Sequence, residues 1–216
     1  MSPWQTNCVL VSARRGSDCI IIDPGITAWD LLPKALDRLG WEPAAVLITH
    51  GHLDHVGDAH LVAEAHGIPV YCPEADQSML KQPSLGLGEG LVPLIEQFLG
   101  ADELPLPPTV FGLEGPLQIA GLQITPIHAP GHTPGSTLLD ITDGHQRTIF
   151  TGDVLFAGSI GRTDFPGGNM PTMRQTLRMI LDRIPDDVPL LPGHGAATSL
   201  GQERNTNPYL QPDFLR

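Results

Sequence analysis

Apolar residues occur along the chain in short runs that are bounded by glycine, proline or aspartate, a pattern typical of β-strands. The first two runs, near residues 7–13 and 17–23, are separated by the turn Arg14-Arg15-Gly16. Further strands are predicted near residues 44–49, 69–72, 116–128, 136–141, 148–152 and 188–191.

Helices are predicted between several of these strands. One lies near residues 27–40 and ends at Gly40, a second covers 55–66 and ends at His66-Gly67, and a third covers 171–184, where Pro171 suits a first helical position. The alternation of strands and helices predicts an α/β (α+β) protein built as an αβ/βα sandwich, two sheets with helices outside.

Length and composition fit one domain over residues 1–216, because 216 residues with 41% hydrophobic content can bury one substantial core. The stretch from 81 to 115 interrupts the pattern with several prolines and glycines, and one short helix is predicted there from Leu91 to Leu99. A loop of this length is either a lid over a functional site or a surface insertion without a role, and both interpretations stay open.

The segment from Thr49 to His55 places four metal-ligand side chains within six positions, directly after an apolar run. In an extended segment His50 and His52 lie on the same side, and a helix that begins near Asp54 turns Asp54 and His55 toward a neighbouring position. One loop is therefore expected to serve two adjacent ions.

Three later apolar runs lead to a glycine and then to a ligand-type residue, which are His132, Asp153 and His194. Loops at the ends of strands are where α/β folds build their sites. Each residue alone has an ordinary explanation, as a turn residue or a helix cap. Together with the His50–His55 cluster, they make up two nearly complete coordination shells.

This ligand set resembles that of the metallo-β-lactamase superfamily, whose motif reads His-x-His-x-Asp-His and then separate His, Asp and His. The resemblance implies a four-layer αβ/βα sandwich and two divalent metal ions, with zinc favoured and iron or manganese as alternatives. It also implies the distribution of the ligands: His50, His52 and His132 hold the first ion, Asp54, His55 and His194 hold the second, and Asp153 bridges them.

Two such ions lower the pKa of a shared water and polarise a carbonyl, which indicates hydrolysis with a bridging hydroxide as the nucleophile. Asp54 and Asp153 are the predicted catalytic residues. Asp153 fixes the separation of the ions, while Asp54 orients the hydroxide or takes its proton.

The loop Ser159–Gly168 resembles that of the glyoxalase II branch, the hydroxyacylglutathione hydrolases, in a short form without the C-terminal helical domain. A small-molecule thioester of the hydroxyacyl-thiol type is then the expected substrate. By this resemblance Arg162 binds a carboxylate of the carrier thiol, although an ion pair of Arg162 with Asp164 or Asp143 is an open alternative. Asp164 is predicted to support a ligand histidine.

A second hypothesis is that the chain is a persulfide dioxygenase. Enzymes of that class share this fold and use one iron held by two histidines and an aspartate. His50, His132 and Asp153 are the candidates for that triad. Ile160 departs from the dioxygenase pattern, and the Phe-Pro-Gly-Gly sequence after Asp164 is typical of the hydrolases. A third hypothesis is a non-catalytic scaffold on the same fold. It predicts gaps in the ligand set, and the sequence has none.

The formal net charge of −12 disfavours binding to nucleic acid and to anionic membranes, because both partners are negatively charged. The N-terminal sequence lacks a basic and an apolar region, and a cytoplasmic protein is expected. Cys8, Cys19 and Cys72 are predicted to be buried thiols rather than disulfides or ligands.

Overall fold

The computed structural model describes residues 4–216, apart from the side chain of Phe98. Its strands are β1 Val9–Val11, β2 Asp18–Ile22, β3 Glu42–Leu47, β4 Val70–Cys72, β5 Val110–Gly112, β6 Leu117–Ile119, β7 Leu122–His128, β8 Thr137–Thr142, β9 Arg147–Gly152, β10 Leu155–Phe156, β11 Ser159–Ile160, β12 Pro189–Pro192 and β13 Thr198–Ser199. Its α-helices are α1 Leu32–Leu39, α2 Leu53–Val56, α3 Ala59–His66, α4 Ser84–Leu87, α5 Val92–Leu99, α6 Met170–Arg183, α7 Leu200–Thr206 and α8 Pro212–Leu215. The 3₁₀ segments are Glu74–Leu80, Glu89–Leu91 and Pro208–Leu210.

The strands form two large sheets. The first has the order β1-β2-β3-β4-β5, with parallel pairing from β2 to β5. The second has the order β13-β12-β9-β8-β7-β6, and within it β12 runs parallel to β9. β10 and β11 make a separate small hairpin.

Strand β2 shows how alternation along a strand produces the layers. Ile20 and Ile22 point toward the second sheet and pack with residues such as Leu139 and Phe150. Ile21, between them, points the other way and packs with Val62 of α3. On the far side of the second sheet, strand residues pack against α6. The resulting order of helix, sheet, sheet and helix confirms the predicted four-layer αβ/βα sandwich.

The predicted strands are all present, with bounds that differ at their ends. The predicted strand over 116–128 is a hairpin of β6 and β7, because Ala120 and Gly121 both adopt positive φ angles, 54° and 75°, in a two-residue turn. Short strands without a long apolar run, namely β5, β10, β11 and β13, lie outside the sequence prediction.

The helix predictions need two corrections. The predicted helix 55–66 is two helices, α2 and α3, which are separated at Gly57, where a side chain would meet Ile26 at 2.6 Å. The helix predicted over 27–40 begins only at Leu32, since Thr27 has a positive φ of 68° and the residues after it form turns. α6 agrees with its prediction, and the side chain of Asn169 caps its first turn by accepting from the Thr172 N–H.

The segment 81–115 contains more structure than the one predicted helix. α5 begins at Val92, close to the predicted Leu91, but α4 and a 3₁₀ turn precede it. Ile95 of α5 and Leu104 are buried in a small apolar cluster with Leu53 of α2 and Ile26. This packing ties the excursion to the helix that follows His52. Within residues 4–216, no helix has both the length and the apolar character needed to cross a membrane.

Glu203 of α7 is a buried carboxylate that anchors the β10–β11 hairpin. It accepts hydrogen bonds from the Gly158 N–H at 2.7 Å, from Thr198 Oγ1 at 2.5 Å and from Asn207 Nδ2 at 3.0 Å. Because the chain continues from this hairpin to Arg162, α7 helps to position the loop that carries that residue.

We expect Glu203→Ala to lower the free energy of unfolding by about 2–4 kcal/mol, because three donors, of which that of Asn207 is buried, lose the same acceptor side chain. Urea denaturation followed by circular dichroism measures the change. Glu64→Ala, at an exposed position of α3, is the control and is expected to change stability by less than about 0.5 kcal/mol. Equal effects of the two substitutions would contradict this account of Glu203.

Candidate metal centre

The first ligand-type residues lie in the turn after β3 and in α2. His50, His52 and His55 are buried there, with 3% or less of each residue exposed. Asp54, between them, is partly exposed. The extended backbone up to His52 and the helical turn after it separate the four side chains into two directions, as the sequence pattern predicts.

The remaining residues arrive from loops of the second sheet. His132 follows β7, Asp153 follows β9 and His194 follows β12. Since β9 and β12 are parallel neighbours, their carboxyl ends lie side by side, and the Gly193 N–H bonds the Gly152 carbonyl at 2.8 Å. A side chain at Gly193 would lie 2.2 Å from Asp153 Oδ1, so only glycine permits this approach.

These loops bring the seven residues into three overlapping groups, and the candidate ligand atoms in each lie within 4.8 Å of one another. The groups are His50-His52-His132, His50-His55-Asp153 and Asp54-His55-His194. The first and the third coincide with the two ligand sets that the resemblance implies. The structure thus brings together every residue that the sequence predicted as a metal ligand.

Asp153 lies between the two outer groups. Its Oδ2 is 3.7 Å from His132 Nε2 and 3.4 Å from His194 Nε2, while its Oδ1 is 3.4 Å from His55 Nε2. A carboxylate in this position faces both ligand sets, which is the geometry that a bridging ligand requires.

Several buried polar atoms of this cluster fit a bound cation. Among the described residues, Nε2 of His50, His52 and His132 and Oδ1 of Asp153 are buried and have no hydrogen-bond partner. Buried polar atoms are normally paired, and imidazole nitrogens and carboxylate oxygens are ligands for zinc and iron. A divalent cation would satisfy these atoms.

The histidines of the first group are poised to bind as neutral ligands. Burial lowers the pKa of His50, His52 and His132, in the case of His52 to about 3. A histidine with such a pKa is unprotonated at neutral pH and offers its Nε2 lone pair.

In the second group, Asp54-His55-His194, the pKa values of the histidines are raised and not lowered. Burial alone would lower the pKa of His55 and His194, but the carboxylates of Asp54 and Asp153 more than offset it and raise the pKa of His194 to about 10. The same proximity to His55 outweighs burial for Asp54 and lowers its pKa to about 2. The two carboxylates therefore create a position for positive charge, which either protons or a cation can fill.

Asp23 supports the cluster, and the sequence analysis did not identify it. Its Oδ2 accepts from His55 Nδ1 at 2.9 Å and from Thr49 Oγ1 at 2.6 Å, and His50 Nδ1 donates to Thr49 Oγ1 at 3.1 Å. These bonds leave the Nε2 atoms of both histidines free to face the cluster. The available signal was its position, because Asp23-Pro24-Gly25 ends β2 as the other site residues end their strands.

Asp76 is a second supporting residue that the sequence did not reveal. Fully buried, it accepts from the Gly51 N–H at 2.9 Å, from Thr133 Oγ1 at 2.6 Å and from the Gly135 N–H at 2.8 Å. It thereby joins the loop of His50 and His52 to the loop of His132. No local pattern marks it, because it lies in a 3₁₀ segment within a polar stretch.

The prediction for Asp164 is corrected by the structure. His132 Nδ1 donates to the Arg162 carbonyl at 2.7 Å, so the backbone and not Asp164 supports this histidine. The Asp164 side chain is 67% exposed and pairs with Arg162 through two hydrogen bonds of 2.7 and 2.8 Å. The open alternative of an Arg162–Asp164 pair is thus the observed arrangement, and Arg162 also stacks 3.7 Å from the ring centre of Phe165.

The cysteines stand outside the cluster. All three are free, Cys19 and Cys72 are buried and Cys8 is half-buried. Burial raises the pKa of Cys8 to about 12 and that of Cys19 to about 11, so these thiols stay neutral and are poor metal ligands.

A cavity of about 240 Å³ opens above the cluster. Polar side chains of the site form its base, and apolar side chains from α4 and α5 form one wall. The lining residues are Trp4, His52, Leu53, Asp54, Leu87, Leu91, Leu94, Ile95, His132, Asp153, Arg162, Phe165 and His194. The excursion predicted as a lid or an insertion therefore contributes directly to the site.

Comparisons with known proteins agree with this geometry. A model of the metallo-β-lactamase superfamily matches residues 1–194. A Haemophilus influenzae protein named hydroxyacylglutathione hydrolase GloC is 36% identical, over 97% of this chain and 95% of that protein.

Two solved structures also match over nearly their whole length. The BLEG-1 B3 metallo-β-lactamase superposes with a TM-score of 0.82 at 31% identity, covering 98% of this chain and 97% of that one. TTHA1623 in a di-iron-bound form superposes with a TM-score of 0.77 at 36% identity, covering 97% of this chain and 98% of that one.

We expect Asp23→Asn to weaken binding of the ion held by Asp54, His55 and His194 by about 10–100-fold, because His55 loses the carboxylate that orients its ring. Competition with a chromophoric chelator measures the metal dissociation constants. Asp18→Asn, at the exposed start of the same strand, is the matched control. Unchanged affinity for every ion in Asp23→Asn would show that Asp23 does not support the site.

Proposed function

Because the chain belongs to the metallo-β-lactamase superfamily, we propose that this metallo-hydrolase cleaves thioesters formed between a hydroxyacyl group and a small thiol. The observation that carries the proposal is the set of overlapping His/Asp groups around Asp153, at the base of a cavity. Support for the thioester comes from the relative named hydroxyacylglutathione hydrolase, which aligns over 97% of the chain.

In this proposal His50, His52 and His132 hold one divalent ion and Asp54, His55 and His194 hold the other, with Asp153 between them. Zinc is the proposed metal because it suits mixed histidine and carboxylate ligands, and iron or manganese are the alternatives. The matching structure of TTHA1623 is a di-iron-bound form of that protein. Such ions supply an activated water at neutral pH and polarise the carbonyl of the substrate.

The reaction adds the oxygen of water to the acyl carbon and breaks the bond from that carbon to sulfur. The products are a carboxylate and a thiol, with one proton of the water passing to the sulfur and the other to solvent. Asp54 is placed to accept a proton, since its Oδ2 faces the cluster 3.1 Å from His194 Nε2 and is held by Thr6 Oγ1 at 3.0 Å.

Nearby hydroxyl groups do not offer a competing nucleophile. Thr133 and Ser136 are buried and lie 2.8 Å apart, and the Thr133 hydroxyl donates to Asp76. Neither side chain is among those that line the cavity. A direct attack by water is therefore the mechanism that fits these residues.

The test combines metal analysis with two assays on freshly purified protein. We expect about two ions per chain by mass spectrometry and hydrolysis of S-lactoylglutathione, with no oxygen uptake on glutathione persulfide. One iron per chain with oxygen uptake would instead identify a persulfide dioxygenase and overturn the proposal.

We expect Asp153→Ala to lower kcat/KM for S-lactoylglutathione by at least about 100-fold, because the metal centre supplies several kcal/mol of transition-state stabilisation. Steady-state kinetics with parallel metal analysis measures the loss. Asp37→Ala, at an exposed position of α1, is the control for a simple loss of charge. Full turnover by Asp153→Ala with metal bound would exclude the proposed role.

A further inference from the structure

One wall of the cavity, formed by α4, α5 and the 3₁₀ turn between them, is aliphatic, and its composition bears on the substrate. The cavity is lined by Leu87 of α4, by Leu91, and by Leu94 and Ile95 of α5, together with His52 and Asp153. We infer that this wall binds the aliphatic part of the acyl group, beyond the carbon that is attached to the carbonyl, so that the enzyme prefers thioesters with a longer acyl chain. This inference rests on the proposed function and narrows its substrate class.

The size of the cavity decides which part of a thioester it holds. Its volume of about 240 Å³ is below the roughly 300–1,000 Å³ of pockets that enclose a drug-sized ligand. The acyl carbon has to lie at the metal cluster. Besides the carbonyl oxygen, it carries the acyl chain on one side and the carrier thiol on the other. A peptide-sized carrier exceeds the space, and hence the cavity encloses the acyl chain while the carrier extends outward.

The charges of the lining also disfavour a polar group against this wall. Arg162 is the one cation among the described lining residues if the histidines hold metal, and both its Nε and its Nη2 already bond Asp164. The leucine and isoleucine side chains offer no hydrogen-bond partner to a substrate hydroxyl. A hydroxyl enclosed there would lose its bonds to water without compensation, whereas a methylene gains by leaving water.

The wall is fixed relative to the cluster, so its apolar face is a lasting part of the site. Ile95 is buried against Leu53, the residue between His52 and Asp54. Gly86 of α4 lies so close to His52 that a side chain there would reach its Cδ2 at 2.8 Å. An acyl chain attached to a carbon at the ions therefore meets these leucines directly.

The first experiment compares glutathione thioesters on the metal-loaded enzyme: lactoyl, propanoyl, butanoyl, pentanoyl and hexanoyl. The common carrier means that only the acyl group changes. We expect kcat/KM to rise by about fourfold for each methylene, from propanoyl until the cavity is filled, while lactoyl measures the activity of the proposed function without a longer chain. A series that does not rise with chain length, with lactoyl still hydrolysed, would overturn the inference and leave the proposed thioesterase function in place.

Leu94→Asn tests the wall itself, with Leu85→Asn as the matched control. Both leucines lie in the same excursion with similar exposure, 40% and 45%, but only Leu94 is among the lining residues. We expect Leu94→Asn to flatten the dependence on chain length, and Leu85→Asn to keep it. A wild-type dependence in Leu94→Asn, with its fold intact by circular dichroism, would contradict the assignment.

A binding measurement separates failure of the inference from failure of the proposed function. Isothermal titration of the metal-loaded protein with hexanoate and with propanoate needs no turnover, and we expect tighter binding of hexanoate with a more negative heat-capacity change. If hexanoate binds in this way but no thioester is hydrolysed, the aliphatic site stands and the thioesterase proposal fails. Equal binding of propanoate and hexanoate would overturn the aliphatic site.

Discussion

The structure depends on holding seven histidine and aspartate side chains in contact where the ends of two sheets meet. Buried imidazoles and carboxylates are costly unless each is paired or bound to a cation. Asp153 reduces this cost by facing both ligand groups, and Asp23 and Asp76 pair with the outward-facing groups and the backbone of the same loops. The inner nitrogens of three histidines keep free lone pairs, which is the state a metal requires.

The two halves of the site come from different parts of the fold. Rigid strand ends supply the ligands, so the chemistry is fixed by the sandwich that the whole superfamily shares. The wall above the ligands comes from the excursion with α4 and α5, which is attached to the sandwich through Leu53 and Ile95. The ligands and the wall therefore belong to different segments of the chain, and side chains of the wall that do not contact the ligand loops can differ without a change in the ligand set.

Local patterns predicted much of the fold, because a strand or helix that is buried on one or both faces needs apolar residues at the buried positions. Ile20, Ile21 and Ile22 form an unbroken apolar run because β2 is covered on both sides, by the second sheet and by α3. The pattern did not reveal the break near Gly57, where the chain passes so close to Ile26 that a side chain would meet it at 2.6 Å. It also missed β5 and β13, strands of three and two residues that are defined by their pairing with β4 and β12 and not by an apolar run of their own.

The sequence by itself determined the candidate ligand set, because His50 to His55 are clustered in one turn and His132, Asp153 and His194 each follow a strand and a glycine. It could not determine which groups support those ligands. The bonds from His55 to Asp23, from Thr133 to Asp76 and from His132 to the Arg162 carbonyl join residues about 30 or more positions apart. Hydrogen bonds of this kind leave no periodic pattern, and only the packing of the two sheets decides them.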